Sequence, residues 1–286
     1  MNLCDIGTVK DIMSIFKLRF RKEFGQNFLT DENVVIGIAE NCCDSSPSGT
    51  ILEIGPGIGT LTVELAAIYK NIIAVEIDKS LIPVLAYTLG EFNNVKVINE
   101  DIMKCDLPSL LEPYMADGIS VCANLPYYIT TPILMHLIES KIKFDYITVM
   151  VQSEVADRLC ATPQKGDYGA ITVVLAYYGK AEVIDKVPAA KFIPPPKVNS
   201  SVVRIEIYKD SPYKPINEAL MFKVIKAAFE QRRKTLVNAL SNSFTNVPKE
   251  KISEIIAECN HRPDIRGEKL TIEDFVILSN KMYECI

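Results

Sequence analysis

Short apolar runs rich in isoleucine and valine recur through the first half of the chain, at 51–54 (ILEI), 72–77 (IIAVEI), 95–98 (VKVI), 119–123 (ISVCA) and 146–151 (YITVMV). Amphipathic stretches long enough for helices separate them. A run that is apolar at nearly every position fits a strand buried on both faces, and strands alternating with helices predict a parallel sheet covered on both sides. The pattern then changes. Segments 171–178 (ITVVLAYY) and 202–207 (VVRIEI) read as strands, separated by the proline-rich KFIPPPK at 191–197, which predicts a final antiparallel strand on a mostly parallel sheet. Beyond the turn-rich Lys209-Asp210-Ser211-Pro212 the periodicity is helical through 217–243, 249–259 and 271–283. The expected fold is therefore α/β, a doubly wound Rossmann-like sheet of about seven strands over residues 1–208, followed by a small helical domain over 209–286.

Composition narrows the class. With 286 residues, 48% of them hydrophobic, the chain can bury one large core and one small one. No window approaches the roughly 18 uninterrupted apolar residues of a membrane span. Asp5, Lys10 and Asp11 stand where a signal peptide has its apolar run, so a cytoplasmic location and no membrane partner are expected. Eight cysteines without a C-x-x-C pair read as reduced, mostly buried thiols, and His136 and His261 lack neighbouring ligands, so no metal site is expected. The net charge of -5 argues against a non-specific nucleic-acid binder. It is unevenly divided: residues 1–208 hold 18 Lys+Arg against 25 Asp+Glu, and residues 209–286 hold 13 against 11. Local basic clusters remain at Arg19/Arg21/Lys22 and Arg232/Arg233/Lys234, although such a cluster is more often just a solvated face.

Candidate chemistry begins at the turn after the first strand, Glu53-Ile54-Gly55-Pro56-Gly57-Ile58-Gly59, which leads into an amphipathic helix. Gly55 and Gly57 let a ligand approach the backbone. Alone, such glycines are also what a tight turn requires. Glu76 ends the second strand about twenty residues on, where a carboxylate can accept both ribose hydroxyls of a nucleoside cofactor. A dinucleotide is disfavoured because Thr60 occupies the third glycine position of G-x-G-x-x-G and Pro56 would stiffen the phosphate turn. G-x-G-x-G after an acidic residue resembles instead the first motif of class I methyltransferases. By that resemblance the cofactor is S-adenosyl-L-methionine, and Asp101, just past the third strand, meets its adenine amine.

After the fourth strand comes Asn124-Leu125-Pro126-Tyr127, the most specific signal in the chain, which resembles the [DNS]-P-P-[YF] motif of amino-methyltransferases. An exocyclic amine is a poor nucleophile because its lone pair is delocalised into the ring. The Asn124 side-chain carbonyl and the Leu125 backbone carbonyl can hold its two N–H groups and free that lone pair. Pro126, lacking an N–H, fixes the turn that presents them. Tyr127 offers a face on which an extruded base can stack.

Taken with KEFGQNFLTD (22–31), MVQSEVADRL (150–159), FIPPPKVNSSV (192–202) and FEQRRKTLVNAL (229–240), these motifs make the chain resemble the ribosomal RNA adenine N6,N6-dimethyltransferases over nearly its whole length. The resemblance implies dimethylation of adenosine N6 in small-subunit (16S) ribosomal RNA, at two adjacent adenosines near the 3′ end, on a small-subunit assembly particle, by a monomer. It assigns Asn27 and Leu29 to the methionine end of the cofactor, Gly55 to its backbone, and Asn124 to the reacting centre. Phe192 matches an aromatic that sandwiches the base against Tyr127, while Lys197, Arg232, Arg233 and Lys234 are the candidate RNA contacts. Alternatives are a large-subunit enzyme of the macrolide-resistance type, a DNA adenine methyltransferase, and an assembly factor that has lost transfer. Two positions depart from the family pattern: Phe24 where leucine is usual, and Ser153 where lysine is usual, the latter expected to weaken one RNA contact.

Overall fold

The computed structural model describes the chain except for residues 20, 22–24, 43–48, 164–166, 232 and 286, so Lys22, Phe24, Cys43 and Arg232 lie outside the described residues. The chain divides into two compact units: Met1–Ala156 with Glu182–Lys209, and Asp157–Ala181 with Asp210–Ile286. Relative to the expected division at 208/209, residues 157–181 group with the helical unit.

The first unit runs through α1 (Ile6–Ile15), β1 (Phe28–Leu29), α2 (Glu32–Asn41), β2 (Thr50–Ile54), α3 (Thr60–Ile68), β3 (Asn71–Glu76), α4 (Ile82–Thr88), β4 (Val95–Asn99), α5 (Leu107–Leu111), β5 (Ile119–Asn124), α6 (Thr130–Glu139) and β6 (Tyr146–Gln152). All five strands expected from the apolar runs form, as β2 to β6. α7 (Ser153–Leu159) and α8 (Ala170–Tyr178) follow, then β7 (Gly179–Val187), β8 (Phe192–Ile193) and β9 (Ser200–Ile207). The main sheet has seven strands in the order β4-β3-β2-β5-β6-β9-β7. β4, β3, β2, β5 and β6 are parallel neighbours, and β9 runs antiparallel to β6 with Val149 opposite Val203. β1 and β8 form a separate antiparallel pair.

Burial explains the central strands. Every residue of β2 is buried, and removing an Ile or Leu side chain of this size from water contributes about 1.5–3 kcal/mol. Leu52→Ala, at a fully buried position, would cost about 2–5 kcal/mol.

One expectation is corrected, and one strand lies where none is expected. Residues 171–178 are not a strand but most of α8, with Thr172, Val173, Val174, Leu175 and Tyr177 buried. A continuous apolar run is ambiguous between a buried strand and a buried helix, and here the Thr172 hydroxyl, hydrogen-bonded to Arg158 O at 2.6 Å, helps to anchor the first helical turn. The strand that follows, β7, lies at the sheet edge, where Lys180, Glu182, Asp185 and Lys186 make it polar and leave it without an apolar run.

The second unit holds α8 with α9 (Glu218–Glu230), α10 (Leu236–Ser243), α11 (Lys249–Glu258) and α12 (Ile272–Tyr283). The stretch expected to be helical over 217–243 forms two helices, α9 ending at Glu230 and α10 starting at Leu236, with Thr235 capping α10 by accepting from Asn238 N–H. His261 Nε2 lies 3.1 Å from Asp274 Oδ1. No helix among the described residues is long and apolar enough to cross a membrane. Nor does any group of three or more His, Cys, Asp or Glu among them stand close enough to hold a metal ion.

Candidate active site

Strand order locates the site. From β2 the chain builds outward through β3 to β4, then returns to place β5 on the other side of β2. Doubly wound sheets bind ligands at the carboxyl ends of the strands where the order reverses in this way. There the ends of β2, β3 and β5, together with residues 25–29, line an open cleft.

One side of the cleft is set by backbone. Gly55 and Gly57 adopt φ of 70° and 62°, in the left-handed region that disfavours other residues. A Cβ on Gly57 would stand 3.2 Å from the Phe28 ring, whereas one on Gly55 would meet nothing within 4 Å. Gly57 N–H donates to Glu76 Oε2 at 3.2 Å, and Asp78 N–H donates to Glu76 Oε1 at 2.7 Å. Asp78 is itself buried and accepts from Gln26 Nε2 at 2.8 Å, which ties the segment before β1 to the Glu76 loop. Burial pushes the Glu76 carboxyl up to about 7 against the pull of those backbone donors. Glu53, 1% exposed at the end of β2, is pushed up to about 8 by burial, with the Thr62 hydroxyl opposing and the Glu76 charge adding. Glu53 Oε2 and Thr60 Oγ1 have no hydrogen-bond partner among the described residues, and both residues line the cleft.

The other side is set by side chains. Asn124 ends β5, and its Nδ2 donates to Asn27 O at 3.3 Å, which orients the amide and leaves Oδ1 to accept. Leu125 N–H donates to Met150 O at 3.2 Å. The Pro126 carbonyl is occupied by Ile129 N–H and Thr130 Oγ1, both at 3.2 Å, whereas the Leu125 carbonyl accepts nothing from the described residues. Tyr127 is half-buried, and its hydroxyl lies 2.7 Å from Ser200 Oγ.

The structure thus brings Asn27, Leu29, Gly55, Gly57, Glu76, Asn124, Leu125, Pro126 and Tyr127 to one cleft. Asp101 does not line it; its Oδ1 accepts from Met103 N–H at 3.0 Å, the duty of a strand-end turn residue. Phe192 is also absent from the wall. It is 4% exposed, pairs with Leu29 across β1 and β8, and packs in the core with Val35 and Ile38. Lys197, Arg233 and Lys234 are exposed and form no ion pair among the described residues. Ser153 is turned inward, its Oγ 3.0 Å from Ser201 Oγ. Glu53, Thr60, Gln26 and Met150 line the cleft without having been singled out as site residues. Only Glu53 carried a signal of its own, a carboxylate inside an otherwise apolar strand.

Comparison with known proteins agrees with this geometry. A family model described as ribosomal RNA adenine dimethylase matches residues 17–278. The chain is 46% identical over 273 residues to the ribosomal RNA small subunit methyltransferase A of Lachnoclostridium phytofermentans, covering 94% of each chain. It is 43% identical over 274 residues to the protein of the same name from Alkaliphilus metalliredigens, covering 96% of this chain and 95% of that one. Among solved structures, a dimethyladenosine transferase from Plasmodium falciparum superposes with a TM-score of 0.74 at 24% identity, over 88% of this chain and 95% of that one. The 23S rRNA methyltransferase ErmE gives 0.69 at 23% identity, over 90% and 100%. These two likenesses establish the class I methyltransferase fold, and the match over nearly the whole length establishes more: the chain is a methyltransferase and belongs to the ribosomal RNA adenine dimethylase family.

Proposed function

We propose that this enzyme transfers methyl groups from S-adenosylmethionine to the N6 amine of adenosines in small-subunit (16S) ribosomal RNA, twice at each nitrogen, on a small-subunit assembly particle. By family resemblance the targets are two adjacent adenosines near the 3′ end, and the enzyme works as a monomer in the cytoplasm. The observation that carries the proposal is the Asn124 amide, tied through its Nδ2 to Asn27 O with Oδ1 left to accept, in the same cleft as Leu125, the glycine turn and Glu76. The names of the relatives support the small subunit over the large one.

The residues present fit the cofactor. Gly55 opens a cradle that a Cβ would enter, Glu76 keeps acceptor capacity beyond its two backbone donors, and the unpartnered Glu53 and Thr60 oxygens lack donors that a ligand can supply. Glu76 would hold the ribose, Asp101 the adenine amine, and Asn27 and Leu29 the methionine end. When bound, the cofactor supplies an electrophilic methyl on a sulfonium. Asn124 Oδ1 and Leu125 O hold the N–H groups of the target amine, which favours a pyramidal nitrogen. A mono-methylated nitrogen keeps one N–H to be held, so the same pair serves the second transfer, and the proton leaves to solvent. The Tyr127 ring would stack on the base; Phe192, the aromatic that the family pattern sets against it, is buried in the core.

An acidic chain cannot rely on many phosphate contacts. The exposed Lys197, Arg233 and Lys234, with Arg232, would instead grip a folded surface, so protein-free RNA should be a poor substitute. The test incubates purified enzyme and labelled S-adenosylmethionine with small subunits from cells lacking the enzyme, or with protein-free ribosomal RNA, at near-physiological salt. Faster transfer to the particle is expected, reduced when Arg232, Arg233 and Lys234 are together replaced by Ala, with cofactor affinity unchanged. Equal rates on both would sink the particle; no transfer to either would sink the function.

A further inference from the structure

Tyr127 is held at the outer end of its ring. Its hydroxyl shares a 2.7 Å hydrogen bond with the hydroxyl of Ser200, a fully buried residue that opens β9 opposite Gln152 of β6. A ring that only had to offer a face would not need this contact, and the neighbours of Ser200 show how firmly that post is set. Asn199 Oδ1 accepts from Ala189 N–H at 3.0 Å, just ahead of β8 and the proline-rich loop. Asn199 O accepts from Ser153 N–H at 3.0 Å, and Ser201 Oγ lies 3.0 Å from Ser153 Oγ. Residues 199–201 therefore join three pieces of chain: the Asn124–Tyr127 loop, the approach to the proline-rich loop, and the start of α7. Ser153, at the position where the family pattern has lysine, is a member of this internal junction.

We propose that Ser200 is a positioning residue for the reaction, holding the Tyr127 ring at the angle at which an extruded base stacks with its amine between Asn124 Oδ1 and Leu125 O. This rests on the function proposed above. Tyr127 touches the base; Ser200 acts only through Tyr127. A near-attack geometry tolerates errors of about 0.5 Å and 10–20°, and a side chain keeps to such limits only when a supporting bond locks its rotamer. Without the bond the ring still offers a stacking face, so RNA binding survives while the fraction of bound bases correctly aimed falls. A hydrogen bond between neutral groups biases such an equilibrium by roughly 2- to 12-fold.

The experiment is a double-mutant cycle on small ribosomal subunits from cells lacking the enzyme, with Ser200→Ala, Tyr127→Phe and the pair. Each single variant should lower kcat by that factor, leave KM for the subunit and Kd for S-adenosylmethionine near wild type, and the double variant should be no slower than the slower single one. Ser200 is buried, and should its Ala variant not fold, Tyr127→Phe removes the same bond from the loop side and carries the test. Wild-type kcat in Tyr127→Phe, or losses that multiply in the double variant, overturn the proposal. A wild-type enzyme inactive on these subunits would instead strike the proposed function, so the two failures are told apart by the control.

Discussion

The two sides of the cleft are built by different means. On the glycine-turn side, Glu76 is gripped by the N–H groups of Gly57 and Asp78, on chain that follows directly from β2 and β3. On the other side, Asn124 and Tyr127 are held by Asn27 O and Ser200 Oγ, each from a segment more than seventy residues distant in sequence. The first arrangement is local and survives most side-chain changes. The second depends on long-range contacts, so it sets the angle of the reacting groups and is open to single substitutions.

If that contrast is right, the largest effect belongs to Asn124→Ala. Loss of a carbonyl that acts chiefly in the transition state should lower kcat by roughly 10²–10³-fold, with cofactor affinity unchanged by calorimetry. Turnover near wild type would mean that the amine is held by something else.

Next is Glu76→Ala, which should weaken S-adenosylmethionine binding by about 1.5–3 kcal/mol in a folded protein. The same carboxyl predicts a pH dependence. Its free-enzyme pKa, pushed up to about 7, means that it takes up a proton as pH falls through that value and loses acceptor capacity for the ribose. Cofactor affinity should fall from pH 8 to pH 6 in wild type and stay flatter in Glu76→Gln. An identical slope in both would assign the titration elsewhere.

Glu53 gives a stability test of the same side. Its carboxyl is raised to about 8 in the fold from an ordinary value of 4.5, so the folded state binds the proton more tightly than the unfolded chain. That costs no stability below about 4.5, and the cost grows as pH rises to about 8. Glu53→Gln should therefore stabilise the cofactor-free protein by about 1–3 kcal/mol at pH 8.5, seen as a higher melting temperature, and by less at pH 5.5. A larger gain at the lower pH would reverse the assigned shift.

The smallest effect is expected from Asp101→Ala. With its carboxylate capping Met103 N–H outside the cleft wall, loss of its contact with the cofactor adenine should cost less than about 1 kcal/mol of binding. A penalty equal to that of Glu76→Ala would show that the strand-end turn moves to meet the ligand.

The same contrast explains what was legible in the sequence. The Gly55–Gly59 turn, Glu76 and the Asn124–Tyr127 tetrad could be read because each follows directly from an apolar strand, so period and spacing locate it. Ser200 and the carbonyl of Asn27 could not be assigned as supports, since their partners are set by tertiary packing rather than by spacing. Phe192 is the reverse case: the motif marks its place, and the pairing of β1 with β8 sets its side chain in the core beside Leu29. In the second unit, α8 reads as a strand because the run 171–178, apolar or aromatic at every position but Thr172, carries no period to separate a buried helix from a strand.

The measurement closest to the central claim is mass mapping of ribosomal RNA from cells with and without this protein, and from cells carrying only the Asn124→Ala form. The prediction is N6,N6-dimethyladenosine in small-subunit RNA near the 3′ end, present with the wild-type protein and absent in the other two. Dimethylation that persists without the protein, or that appears in large-subunit RNA instead, would contradict it.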